Sequence, residues 1–246
     1  MTEKLKQLQS IIDGTRDLVF FGGAGVSTES GIPDFRSVDG LYNQKYPVPP
    51  EVILSHTYYE KHPEQFFDFY RDKMLFLSAK PNPAHRWLAR LEAEGRLAGV
   101  VTQNIDGLHQ AAGSRKVWEL HGSVHRNKCR RCGKQFSAHE MLQTTGVPVC
   151  PDCGGRIKPE VVLYEEPLDE AVIEGALDCI RRADTMIIAG TSLTVYPAAG
   201  LIRYFRGENL VLINRDPTPA DDTATLCIHD KVGQVLGGIA IGGSRI

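Results

Sequence analysis

Five short apolar runs recur along the chain: LVFF at 18–21, GVV at 99–101, VWEL at 117–120, TMIIA at 185–189 and LVLI at 210–213. Each is short, uniformly apolar and rich in β-branched or aromatic residues, the pattern of a strand buried on both faces. Between them apolar positions recur at helical spacing, over 3–13, around 63–78, over 84–94, over 168–182 and around 198–206. Pro63 and Pro83 stand where a first helical turn tolerates a missing amide. Strands alternating with helices predict an α/β fold with a parallel sheet covered on both faces. Two stretches break the rhythm: 37–80, which is Pro- and aromatic-rich and helical, and 125–157, which holds four cysteines. Both are expected to be insertions that together form a smaller domain, leaving 1–36, 81–124 and 158–246 for the sheet domain.

A chain of 246 residues buries enough surface to fold without disulfides. Its 28 basic and 30 acidic side chains nearly balance, which excludes a wholesale electrostatic nucleic-acid binder. Apolar residues at 42% and charged residues at 24% exclude a disordered chain. The opening MTEKLKQLQSIIDG lacks the apolar segment of a signal peptide, and no run approaches the length of a membrane span. The expected setting is the cytoplasm, with no membrane partner.

Cys129, Cys132, Cys150 and Cys153 form two C-x2-C pairs at the spacing of a four-thiolate zinc site. Each pair supplies two soft ligands from one tight turn, and Gly133, Gly154 and Gly155 let the backbone fold behind the sulfurs. With every ligand position filled by protein, the predicted metal is structural. Cys179 and Cys227, in the apolar strings ALDCI and ATLCI, are expected to be core thiols.

The candidate chemistry collects where strands end, the side on which open α/β sheets bind ligands. The first run leads into Gly22-Gly23-Ala24-Gly25-Val26-Ser27-Thr28, glycines that let backbone amides approach a phosphate, with a helix N-terminus expected behind them. The fingerprint is incomplete: Thr28 takes the third glycine position and no strand-end carboxylate follows about 20 residues on, which argues against an ordinary dehydrogenase. GIPDFRS (31–37) sets Phe35, suited to covering a planar ring, beside Arg36, suited to gripping phosphate. Gln103, Asn104 and Asp106 follow the second run, polar side chains that are costly in a closed core and useful in a pocket. His121 follows the third and is the candidate base; His109 is the second candidate. Thr191 and Ser192 follow the fourth run and Asn214 the fifth, where they serve either a nucleotide's hydroxyls and phosphates or helix N-caps.

GAGVS (23–27), GIPDFRS (31–37), TQNIDGLH (102–109), the His-Gly at 121–122, the two C-x2-C pairs, KPEVVLYEE (158–166) and GTS (190–192) occur together and in order. This set resembles the sirtuins, NAD-dependent protein-lysine deacylases, of bacterial type, over nearly the whole chain. The resemblance implies a Rossmann-like parallel sheet covered by helices, with a small inserted zinc-ribbon and helical domain, and NAD as co-substrate in the cleft. It implies that an acyl-lysine carbonyl attacks the nicotinamide ribose, that nicotinamide leaves, and that the acyl group ends on ADP-ribose. His121 matches the general base, and Asn104 and Asp106 match residues that orient ribose and nicotinamide. Phe35 and Ile105 match walls of the nicotinamide pocket. Ala24, Gly25, Thr28, Arg36, Gln103, Thr191, Ser192 and Asn214 match NAD contacts, with Lys231 near adenine. Val161, Val162 and Tyr164 match the strand that pairs with an extended peptide carrying the acetylated lysine.

The chain departs from the family pattern at Gly22, where Thr is frequent, at Glu160, where Asp is, and at Glu165, where Gly is. Members preferring acidic acyl groups carry Tyr-x-x-Arg; here Tyr70 is followed by Lys73 at the arginine position, which favours acetyl. Two other readings stand beside deacetylation: mono-ADP-ribosyl transfer from the same NAD site, and a non-catalytic zinc-ribbon binding module built on Arg126, Lys128, Arg130, Arg131 and Lys134.

Overall fold

The computed structural model describes residues 2–35, 40, 41 and 46–242. The Leu18–Gly22 run forms β1, and the other predicted runs form β2 (Leu97–Thr102), β3 (Val117–Glu119), β7 (Thr185–Ala189) and β8 (Asn209–Ile213). With β9 (Leu226–Ile228) they build one six-stranded sheet in the order β3-β2-β1-β7-β8-β9, with every pair parallel.

Alternation along each strand fills both faces. Leu18 and Phe20 pack with α1 (Glu3–Gly14), α5 (Pro83–Ala93) and α9 (Val232–Gly237) through Leu8, Ile12, Trp87, Leu91 and Leu236. Val19 and Phe21 pack on the other face with α8 (Glu170–Arg182) through Ala176, Cys179 and Ile180. The amphipathic stretch around 198–206 joins that face as a 3-10 helix, Ala198–Tyr204, in place of the α-helical reading. Asn82 caps α5: its side chain accepts from the Ala84 amide while His85 accepts from the Asn82 amide.

The second body has its own core. In an antiparallel sheet of β4 (Gly122–Cys129), β5 (Gln135–Phe136) and β6 (Ile157–Val161), Cys129 ends β4 and the other three cysteines lie in the connections between the strands. Tyr59, Phe66, Phe67 and Tyr70, from α3 (His56–Lys61) and α4 (Pro63–Lys73), share one apolar cluster with Cys129, Met141, Ile157 and Val161. The two inserted stretches therefore meet. β4 begins at Gly122 and β6 runs to Val161, so both strands cross the limits at 124 and 158 drawn from composition.

Candidate functional site

β1 is where the sheet's order reverses: β2 and β3 lie on one side of it, β7 to β9 on the other. The loops leaving the carboxyl ends of neighbouring strands diverge at such a point and open a crevice. The loop after β1 and the loop after β7 touch backbone to backbone, since Gly25 donates to the Gly190 carbonyl at 2.8 Å. A Cβ on Gly190 would sit 2.4 Å from the Val26 amide, so only glycine permits this closeness. The expected α-helix behind the loop is absent. The chain makes two short 3-10 turns instead, Ala24–Val26 and Thr28–Ser30, so any anion here meets individual amides and not a long helix dipole.

A cavity of about 360 Å³ opens over these strand ends. Ala24, Gly25, Thr28, Phe35, Gln103, Asn104, Ile105, Asp106 and His121 line it, as do Val161, Val162, Tyr164, Thr191, Ser192, Asn214 and Lys231. Arg36 lies outside the described residues.

Its polar groups are prearranged. The Ser27 hydroxyl donates to Asp106 Oδ2 at 2.6 Å and accepts from Asn104 Nδ2 at 3.1 Å, while the Leu108 amide donates to Asp106 Oδ1 at 2.9 Å. Burial nonetheless pushes the Asp106 carboxyl up from its usual range, because desolvation outweighs those two bonds. His125 Nε2 donates to the Asp106 carbonyl and the Val124 amide to the Ile105 carbonyl, tying this loop to β4. Gln103 Nε2 donates to Thr191 Oγ1 at 3.1 Å, joining the ends of β2 and β7.

His121 Nδ1 lies 2.9 Å from the Gln103 carbonyl oxygen. A carbonyl only accepts, so Nδ1 holds the proton and Nε2 keeps a lone pair. Burial pushes this imidazole below 6.5, against the opposing pull of the Gln103 carbonyl, so the ring is neutral at pH 7. His109 is a different case. It is buried against His85 and Phe20 with neither ring nitrogen bonded and does not line the cavity, so it is not a second base.

The segment 161–164 borders the cavity, but its amides are committed. Val162 donates to the His121 carbonyl, Leu163 to Glu166 Oε2 and Tyr164 to the Leu54 carbonyl. Glu165 stands at φ 76°, a left-handed conformation that explains why glycine suits this position. Its carboxylate turns to Thr57, accepting from both the amide and the hydroxyl.

In the second body all four cysteine sulfurs lie within 4.8 Å of one another, with Cys129 and Cys153 3.5 Å apart and Cys132 and Cys150 3.7 Å apart. A tetrahedron of Zn–S bonds of about 2.3 Å sets its sulfurs about 3.8 Å apart, so the four thiols fit a structural zinc. Cys179 is a core thiol, accepting from Trp118 Nε1. Cys227 is one only in part: it packs against the rim of the apolar cluster beneath α8, yet its side chain is half-buried and lies beside His229.

The Sir2 family model matches residues 23–197. The chain belongs to the Sir2 family. A curated relative from Clostridium perfringens, named NAD-dependent protein deacetylase, is 58% identical over 96% of this chain and 98% of its own length. One from Clostridium acetobutylicum with the same name is 55% identical over the same shares. Among Sir2-family structures, a complex with deacetylated p53 peptide and 3′-O-acetyl ADP ribose superposes with a TM-score of 0.86 at 39% identity, covering 96% of this chain and 99% of the other. A complex of Sir2, p53 peptide and NAD+ superposes at 0.83 with 40% identity, covering 96% of each.

Ser27 is the member of this Sir2 site that reading strand ends overlooked as a ligand-site residue. It lies inside GAGVS, and its role depends on contacts with residues 77 and 79 positions away.

Proposed function

We propose that this chain is an NAD-dependent protein-lysine deacetylase, releasing nicotinamide and O-acetyl-ADP-ribose. The observation that carries the reading is a single cavity in which a neutral, oriented histidine shares walls with the strand-end polar residues and with the segment 161–164. NAD supplies the nicotinamide leaving group and the ribose that accepts the acetyl group. His121 Nε2 takes a proton from a ribose hydroxyl, and its neutral state at pH 7 suits that task. Asp106 and Asn104, held through Ser27, orient the ribose and the carboxamide. Ala24, Gly25, Thr28, Phe35, Arg36, Gln103, Ile105, Thr191, Ser192, Asn214 and Lys231 complete the NAD contacts in this reading. Cys129, Cys132, Cys150 and Cys153 hold the zinc, which braces the second body and takes no part in the chemistry.

The partner is an acetylated lysine in an extended peptide lying along Val161, Val162 and Tyr164. The Val162, Leu163 and Tyr164 amides and the Val161, Leu163 and Tyr164 carbonyls there are already bonded, so backbone pairing with a peptide exchanges existing hydrogen bonds. Lys73 lines the cavity at the family's arginine position and is paired to Asp72 at 2.9 Å, which supports acetyl over acidic acyl groups. Three of the five basic residues near the zinc are matched to carboxylates, Arg126 to Glu119, Arg130 to Glu60 and Lys134 to Asp152, which speaks against a nucleic-acid module. Among the described residues no helix is long and apolar enough to cross a membrane. All six cysteines are free of disulfide bonds, which fits a reducing compartment, and we place the protein in the cytoplasm.

Mass spectrometry of a mixture of protein, NAD and acetyl-lysine peptide tests the reading. Free-lysine peptide, nicotinamide and O-acetyl-ADP-ribose appear together if it is right. Intact acetyl peptide beside an ADP-ribosylated product would replace it with the transferase reading.

A further inference from the structure

A second cluster of metal-binding side chains lies away from the four cysteines, at the β9 edge of the parallel sheet. Side chains of a strand alternate, so Leu226 and Ile228 turn into the core beneath α1, α5 and α9, while Cys227 and His229 share the opposite side, where Cys227 packs against the rim of the other apolar cluster. The one-turn 3-10 helix Asp221–Thr223 precedes the strand and brings a carboxylate over that side. The ligand atoms of Asp221, Cys227 and His229 all lie within 4.8 Å of one another. Cys227 Sγ is 3.5 Å from His229 Nε2, and His229 Nε2 is 3.3 Å from Asp221 Oδ2.

We infer that Asp221, Cys227 and His229 form a second, surface-accessible site for a zinc-class divalent cation. Bonds of about 2.3 Å to sulfur and about 2.1 Å to nitrogen and oxygen, arranged as a tetrahedron, set sulfur and nitrogen about 3.6 Å apart and nitrogen and oxygen about 3.4 Å apart. The two observed edges match these values, and the third, from sulfur to carboxylate oxygen, lies within 4.8 Å. Thiolate and imidazole select zinc-like ions over magnesium or calcium, and the thiolate and carboxylate together neutralise a divalent charge.

Outer contacts hold each ligand in place, as they do in metal centres. His229 Nδ1 lies 3.2 Å from the Asn214 carbonyl, so it carries the ring proton and leaves Nε2 as the lone-pair donor facing the cluster. Asp221 Oδ1 accepts from both the amide and the hydroxyl of Thr218 at 2.8 Å, which leaves Oδ2 for the ion. Cys227 is fixed by its pairing with Leu212, and Lys4 Nζ caps its carbonyl at 2.9 Å. The imidazole is 40% and the carboxylate 22% exposed, so the fourth position opens to water. Three protein ligands and an open vertex distinguish this site from the closed tetrathiolate.

The test uses the full chain with its cysteine tetrad loaded with zinc and excess metal removed by desalting. Cobalt(II) is then titrated, read by thiolate-to-cobalt absorption and by intact-complex mass spectrometry. Wild-type protein takes up an additional cobalt with a thiolate charge-transfer band. C227S loses the band, and H229A and D221N weaken uptake at least about 10-fold. These positions lie outside the cavity, none is fully buried, and Cys227→Ser is close to isosteric, so each variant keeps its zinc and its folded circular-dichroism spectrum. Uptake by C227S equal to wild type, or a band that survives C227S because cobalt has displaced zinc from the tetrad, overturns the inference. So does the absence of added metal in wild-type protein.

Discussion

His121 and Gln103 are joined by a 2.9 Å hydrogen bond from Nδ1 to a backbone carbonyl, and that bond decides which imidazole nitrogen is free. Gln103 follows β2 and His121 follows β3, so the parallel pairing of those two strands sets the tautomer. His121→Ala is expected to lower deacetylation by roughly 10²- to 10⁴-fold, the scale of a lost general base. NAD affinity changes little, which calorimetry with NAD alone checks. The imidazole must be neutral to act, and burial lowers its pKa from 6.5. The acid limb of kcat/KM assigned to His121 therefore has its midpoint below pH 6.5. A limb above that value would contradict the assignment.

Ser27→Ala removes one hydroxyl that serves two site residues, Asp106 and Asn104. A hydrogen bond to a charged or buried acceptor contributes about 1.5–3 kcal/mol, so kcat/KM for NAD drops by roughly 10- to 100-fold. The thermal midpoint stays within a few degrees because the site is a cavity wall and not the core. Ser27→Thr, which keeps the hydroxyl, recovers part of the loss.

Gly122 follows the catalytic candidate directly and stands at φ 73° with its Cβ direction blocked by the Glu160 carbonyl at 1.9 Å. Gly122→Ala must force β4 away from β6, and we expect a loss of at least about 2 kcal/mol in urea unfolding together with reduced turnover. Gly14→Ala is the control: nothing lies within 4 Å of its Cβ position and its φ is not in the left-handed range. That variant is expected to unfold within about 0.5 kcal/mol of wild type.

His85 is pushed down to about 4 by burial, with Arg86 adding a smaller push. A histidine whose folded pKa lies below its unfolded value binds fewer protons in the native state. Stability is therefore intact above pH 6.5, falls as pH drops through 6.5, and levels off near pH 4 for this group. Protonating it costs about 3 kcal/mol across that window. His109, fully buried beside it, acts in the same direction. Urea midpoints measured from pH 7 to pH 4.5 for wild type and His85→Gln check this: the variant's profile is shallower, and equal slopes would refute it.

The parallel sheet, its two helical layers and the zinc ligands were legible from residue order alone. Uniform apolar runs, 3.6-residue spacing and paired C-x2-C turns are local signals, set by which side chains must leave water or hold a metal. The site was legible only in part. Asn104, Asp106 and His121 are conspicuous because polar side chains at strand ends have few other uses. Ser27 is an ordinary residue until the loop after β1 folds against residues 104 and 106.

Cys227 shows the same limit from the other direction. Its apolar neighbours in ATLCI suggest a core thiol, and it does pack against the second apolar cluster, but at the edge strand β9 that cluster thins out and leaves the side chain half-buried. Likewise, nothing in GGAGVSTES distinguishes an α-helix from the two 3-10 turns that form, because packing against Gly190 selects between them. Sequence by itself determined which elements exist and where their polar ends fall. Tertiary structure alone decided which ends meet, which nitrogen of His121 is bare and which thiol reaches solvent, since those depend on contacts between residues far apart in the chain.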